Sequence, residues 1–203
     1  MADNTIAARV TVRGTRPLLW HHFGPDAIPL EKKERTGVAG NDPEEWKQTV
    51  LVTKEGRLYL DAAYAFACIR DGARYTKKGR GSIQSMVAAT LQITDDKILV
   101  DRFLPENIGD LVNATDEPVY LDVRSVKNPA TKGRNVRYRV AASSGWMATF
   151  NLLWDKTITS RHEMEAATRD AGRFSGLGDG RAIGFGRFLV DSFEVLEETD
   201  AAS

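Results

Sequence analysis

The chain has 203 residues, 42% of them apolar, with 28 lysines and arginines balanced by 28 aspartates and glutamates. That suits one ordinary core or two small lobes sharing an interface. No apolar run approaches the roughly 20 residues that cross a bilayer, and the start MADNTIAARV lacks the basic-then-apolar order of a signal peptide, so a cytoplasmic protein without membrane contact is expected.

β-Branched residues from Ile6 to Val12 predict a first strand, continued through Arg13-Gly14-Thr15-Arg16 to Pro17-Leu18-Leu19-Trp20. Residues 21–41 form a long flexible loop with glycines, prolines and the run EKKER but no apolar period, the kind of segment that is functional or disordered. Asp42-Pro43-Glu44-Glu45 has the order of a helix start, with Asp42 as N-cap and Pro43 at the first position, and predicts a short helix running on through Trp46 to Val50. After a turn at Lys54–Arg57, Leu58-Tyr59-Leu60 suits a strand. Ala62, Phe66, Ile69 and Ala73 then share one helical face with Arg70 and Arg74 beside it. This helix carries the single cysteine, Cys68, within AYAFACI; it reads as a core thiol and leaves no internal disulfide and no cysteine-based zinc site. Lys77-Lys78-Gly79-Arg80-Gly81 is a basic turn, with Ser82 placed to cap a helix carrying Ile83, Met86, Val87 and Leu91.

In the middle third Val119, Leu121 and Val123 alternate with Asp122 and Arg124, and Val136, Tyr138 and Val140 alternate with Arg137 and Arg139, so two strands should pair as a hairpin over 119–140. Its tip, Lys127 to Arg134, is basic and has nothing apolar to bury, so it should project. Trp146 to Trp154 reads as another strand. Ser160-Arg161-His162-Glu163 is a capping box for a helix from Glu163 to Arg173, and Phe185 to Val195 is the last strand. Residues 196–203 should be an acidic, disordered tail. The whole, 1–203, reads as one domain with a β-rich insertion.

Charge is segregated. Basic residues gather around 70–80, 124–139 and 169–187, acids around 95–117 and in the tail, which can give a neutral protein a positive face suited to phosphates; solvated faces are the commoner fate of such clusters. Between the last helix and the last strand lies Gly176-Leu177-Gly178-Asp179-Gly180-Arg181-Ala182-Ile183-Gly184-Phe185-Gly186-Arg187. Its glycines allow backbone amides to approach a ligand, so an anion-binding nest flanked by Arg181 and Arg187 is expected, although such turns also serve as plain connectors. The segment lacks the Gly-Lys-Ser/Thr ending of a Walker loop, and it runs from helix to strand rather than from strand to helix as a dinucleotide fingerprint does.

Gly-apolar-Gly, five residues, then Gly-apolar-Gly, here Gly176-Leu177-Gly178 and Gly184-Phe185-Gly186, resembles the C-terminal signature loop of the RAMP superfamily, the RNA-binding proteins of CRISPR effector and guide-processing complexes. Arg57-Leu58-Tyr59-Leu60-Asp61-Ala62, leading into the helix with Arg70, resembles the strand-to-helix entry of backbone subunits in that superfamily, with Asp61-Ala62-Ala63 where Pro-Gly-Ser is usual. The basic hairpin resembles the thumb such subunits lay across the guide. Small phage proteins carry similar loops.

The resemblance implies an α+β fold: a modified ferredoxin-like or RRM-like core with an antiparallel sheet, a β-hairpin thumb and the C-terminal glycine-rich loop. It also implies binding of single-stranded RNA (or DNA), without cofactor or metal, in a homo-oligomer along the strand or in a hetero-complex with other RAMP-like subunits. The expected contacts are Arg70, Arg74, Lys77, Lys78, Arg80, Lys127, Lys132, Arg134, Arg137, Arg173, Gly176, Gly178, Gly180, Arg181, Gly184, Gly186 and Arg187. Trp20, Phe23, Tyr75 and Tyr138 are candidates for stacking on bases. Two rivals stand beside this reading. One is a metal-independent guide-processing endoribonuclease, with His21 or His22 taking a 2′-hydroxyl proton while Lys32, Lys33 or Arg35 stabilises the phosphorane; Asp26 is a further candidate, for metal-assisted cleavage. The other is a scaffold protein, or a phage single-strand-binding protein, of the same fold.

Overall fold

Alternation at the start of the chain sets the main sheet. In a computed structural model, which describes residues 4–24, 42–127 and 132–196, β1 (Thr5–Gly14) buries Ala8, Val10 and Val12 and turns Arg9 and Arg13 outward. It pairs antiparallel on one side with β10 (Met147–Asp155) and on the other with β11 (Phe188–Leu196). β10 in turn meets β6 (Gln92–Ile93) and β7 (Lys97–Phe103), and β3 (Arg57–Asp61) closes the far edge against β7. The order is therefore β11-β1-β10-β7-β3.

Two helices lie on one face of this sheet. α2 (Ala62–Gly72) follows β3 directly, its first turn fixed by the Asp61 carboxylate, which accepts the Ala63 amide at 2.8 Å. α4 (Arg161–Asp170) is started by the expected capping box, Ser160 and Glu163 exchanging hydrogen bonds. Ala65, Cys68 and Ile69 from α2 and Met164 and Ala167 from α4 share one apolar cluster with Val10, Ile98, Phe150 and Trp154. β1, α2, β7, β10, α4 and β11 thus follow a βαββαβ path in which the fourth strand lies beside the first, the first beside the third and the third beside the second, all antiparallel. This is the ferredoxin-like core expected from the sequence, enlarged by β3.

The remaining elements are short or form a second sheet. α1 (Glu45–Thr49) begins later than expected: the Asp42 carboxylate accepts the Glu44 amide in a turn, and the helix starts at Glu45 without a side-chain cap. Ser82 does not cap a helix either. It pairs with Lys77 across β4 (Lys77–Lys78) and β5 (Gly81–Ser82), and α3 (Gln84–Thr90) starts beyond it. β8 (Val119–Lys127) and β9 (Arg134–Ala142) pair as expected, with Leu121 opposite Val140, and β2 (Leu18–Leu19) adds a third strand beside β9. The projecting tip expected of this hairpin falls at residues 128–131, outside the described residues. No helix among the described residues is long and apolar enough to cross a membrane.

Candidate nucleic-acid interface

Gly72, the last residue of α2, makes the site possible. A β-carbon there would lie 2.3 Å from the Ala171 α-carbon, so only glycine lets α2 seat against the end of α4. At that contact α4 widens into a π-helical turn, Ala171–Ser175, a local irregularity common at functional sites. Thr76 locks the junction by donating to the Asp170 carboxylate at 2.7 Å. Tyr75, just past α2, and Phe174, on the π turn, are thereby brought to a ring separation of 4.9 Å.

These rings stand in a groove of about 610 Å³ lined by His21, Tyr64, Asp71, Arg74, Ser175 and the stretch Gly178 to Ala182. Asp71 is its electrostatic hub. Its carboxylate takes Arg70 at 2.9 Å, Arg181 at 3.4 Å and Arg74 at 3.9 Å. One negative charge thus serves three positive ones, and the guanidiniums stay partly exposed. Arg173 stands apart from this group, its guanidinium 5.8 Å from the Phe174 ring centre. At the opposite wall the His21 Nε2 lies 3.2 Å from the Glu45 Oε1, with the His21 side chain only 10% exposed. Burial by itself would raise the Glu45 carboxyl, but hydrogen bonds from His21, Arg137 and the Tyr138 amide and the Arg137 charge hold it below its ordinary value. Burial, with the Asp179 and Asp61 carboxylates nearby, pushes the Tyr64 hydroxyl up, so it remains a neutral donor. It lies 3.4 Å from the His22 Nδ1.

Much of the backbone of the glycine-rich loop is bonded to its own protein. The amide of Gly176 donates to the Ala171 carbonyl, that of Leu177 to Gly186, that of Asp179 to Leu19 and that of Gly186 to Pro17, at 2.8–2.9 Å. Ile183, Gly184 and Phe185 donate within the loop, to Gly180 and Arg181. Gly176, Gly178 and Gly186 are buried. The loop is stitched to the β2 segment through the amides of Asp179 and Gly186, and it borders the groove at Gly178 and Gly180 and carries Arg181 there. Arg187 is turned away from this wall: its Nη1 is buried with no hydrogen-bond partner among the described residues, and it does not line the groove.

A buried ion network that sequence patterning did not reveal fixes the hairpin to the same loop. Asp122 and Arg139 occupy the face of β8 and β9 expected to meet solvent, yet they are 0% and 4% exposed. Arg139 donates to Asp122 at 2.9 Å and to Asp179 of the loop at 2.8 Å, and Arg124 pairs with Asp122 while covering the Phe185 ring. The loop lies over this face and excludes water, and the charges persist because they are paired.

The other expected contacts scatter. Lys127, Lys132 and Arg134 are exposed toward the hairpin tip, Arg137 is taken by Glu45, Lys78 pairs with Glu163 at 2.9 Å, and Lys77 and Arg80 are exposed on the β4–β5 turn. Trp20 is not available for stacking: it is buried and its indole donates to the Tyr59 carbonyl at 2.7 Å. Asp26, Lys32, Lys33 and Arg35 lie outside the described residues. Cys68 is a core thiol, as expected, and burial pushes it up to about 12. The sheet face opposite the helices carries paired charges: Arg13 holds Asp191 at 3.0 Å and Arg9 stands opposite Glu194.

No protein-family model matches the chain, and no curated protein matches it. Among solved structures it is similar to a chain in the cryo-EM structure of the Type III-B Cmr-beta bound to cognate target RNA, with a TM-score of 0.49 and 11% sequence identity. The similarity covers 95% of this chain and 61% of that one, so the protein spans about three fifths of that neighbour's length.

Proposed function

We propose that the protein binds a single strand of nucleic acid, RNA in the first instance, along the groove between α2, the π turn and the glycine-rich loop, as one subunit of a larger ribonucleoprotein. The observation that carries this reading is the surplus of guanidinium around Asp71: Arg70, Arg74 and Arg181 share a single carboxylate beside two exposed aromatic rings. A phosphate entering there meets cations already held in place, and neutralising it releases condensed counterions, the usual source of sequence-independent affinity. Exposed rings can stack only on unpaired bases, which favours a single strand over a duplex. The resemblance of the loop to the RAMP signature supports the same assignment. In this reading the loop presents Arg181 to the strand, and the bonded amides of Gly176, Leu177, Asp179 and Gly186 hold it in place.

The experiment is binding of labelled single-stranded RNA, single-stranded DNA and duplex across a range of salt. The expected result is retention of single strands that weakens with salt. Replacing Arg74 and Arg181 together by alanine should reduce the log–log slope by about 1.4, at roughly 0.7 for each phosphate contact on a single strand, and shift the melting temperature little, since both pairs are long and only partly buried and Arg70 still holds Asp71. A wild-type protein that retains no single strand at low salt overturns the reading and leaves the scaffold role.

One observation favours a catalytic use of the same groove: His21 lines it, with the Glu45 carboxylate positioned to orient its ring. RNA cleavage that proceeds in chelator and is lost in His21→Ala would establish it; intact RNA after prolonged incubation rejects it.

A further inference from the structure

We infer that Tyr75 and Phe174 form a stacking platform for one splayed nucleobase, so that the groove holds its strand by a base as well as by phosphates; this rests on the single-strand reading above. Both rings are large and apolar, yet 47% and 45% exposed. They are 4.9 Å apart and inclined at 46°, and so make one continuous apolar surface. The Gly72–Ala171 contact and the Thr76–Asp170 hydrogen bond hold together the two backbone segments that carry them. Contiguous exposed apolar surface in a polar setting is the kind that binding sites use.

The surroundings determine the kind of ligand. Arg74 and Arg181 stand in the same groove, and Arg173 lies beside the Phe174 ring. A partner that fills this space has a flat π face for the rings and negative charge within reach of the guanidiniums, which is the chemistry of a nucleotide. The volume, about 610 Å³, lies within the ~300–1,000 Å³ of sites that enclose small ligands, so it admits a base with its sugar and phosphate. Every base has a π face, so the platform tolerates any sequence and favours the larger purines.

The test compares single-stranded RNA oligomers that differ at one central position: adenine, uracil, the fluorescent purine 2-aminopurine, or an abasic sugar. Wild-type protein should bind adenine strands about tenfold more tightly than abasic ones, with uracil between, and quench 2-aminopurine. The double variant Tyr75→Leu, Phe174→Leu should lose that discrimination and the quenching while keeping the wild-type salt slope. Phe174→Tyr should retain both. If wild-type protein binds abasic and adenine strands equally, or if the double variant still discriminates, the platform is refuted although strand binding stands. If wild-type protein binds no strand at all, both readings fall. Because the adenine–abasic comparison is made on the unaltered protein, misfolding of a variant cannot mask the result.

Discussion

The glycine-rich loop and the junction of α2 with the π turn border the same groove and are built on opposite terms. The loop is the conspicuous one in sequence and is tied in large part to its own protein, the amides of Gly186, Asp179 and Gly176 donating to Pro17, Leu19 and Ala171 and its Asp179 held by Arg139. The junction is inconspicuous in sequence, yet it leaves two aromatic rings and several guanidiniums facing outward. The lesson is that glycine marks where backbones come close, and the thing that comes close can be the protein itself.

The sharpest way to break this contrast is Gly186→Ala. Gly186 has φ +67°, and a β-carbon on it would lie 1.8 Å from the Leu177 carbonyl oxygen. The substitution should destabilise the fold by about 4 kcal/mol or more, read as a shifted urea midpoint. Gly184→Ala, at φ +90° but with nothing within 4 Å, should cost only the backbone strain of about 1–2 kcal/mol. Equal costs at the two positions would mean that the loop is not the packed element described.

Next in size is the ion network beneath the loop. Arg139→Met strands Asp122, which is 0% exposed, with Arg124 as its remaining partner, and releases Asp179. A loss of about 3 kcal/mol is expected, and adding Asp122→Asn should recover part of it in a double-mutant cycle. No recovery would show that Arg139 acts mainly through Asp179.

The smallest effect concerns the opposite wall. Glu45 is held below its ordinary value of 4.5 by groups that outweigh its burial. A carboxyl depressed in the folded state contributes stability that is complete above its unfolded value and fades as pH falls toward the folded one. The difference in melting temperature between wild type and Glu45→Gln, on the order of 1 kcal/mol in stability, should therefore be constant at neutral pH and shrink below about 4.5. A difference that persists in acid would assign Glu45's role to packing.

Much of the scaffold was legible because it is written in neighbouring residues. The alternation of Val10 and Val12, the pairing of Val119–Val123 with Val136–Val140 and the Ser160–Glu163 box each act within a few positions, and each forms as the pattern requires. Misreadings arose where a partner came from far along the chain. Trp20 stands as a candidate for stacking until β3 supplies the Tyr59 carbonyl, and Asp122 and Arg139 read as solvent-facing until the loop covers them. Phe174 lies in a helix whose pattern gives no sign of a π turn, so its exposure was not visible in advance.

Sequence by itself determined the α+β class, the main strands and the presence of a glycine-rich helix-to-strand connection, because period, capping and turn chemistry are local. Only the tertiary structure decided what that connection touches, which charges are buried and which rings stay in solvent. Those outcomes depend on backbone closeness at Gly72 and Gly186 and on hydrogen bonds that the loop donates to the carbonyls of Pro17 and Leu19, contacts between segments more than a hundred residues apart in the case of the loop.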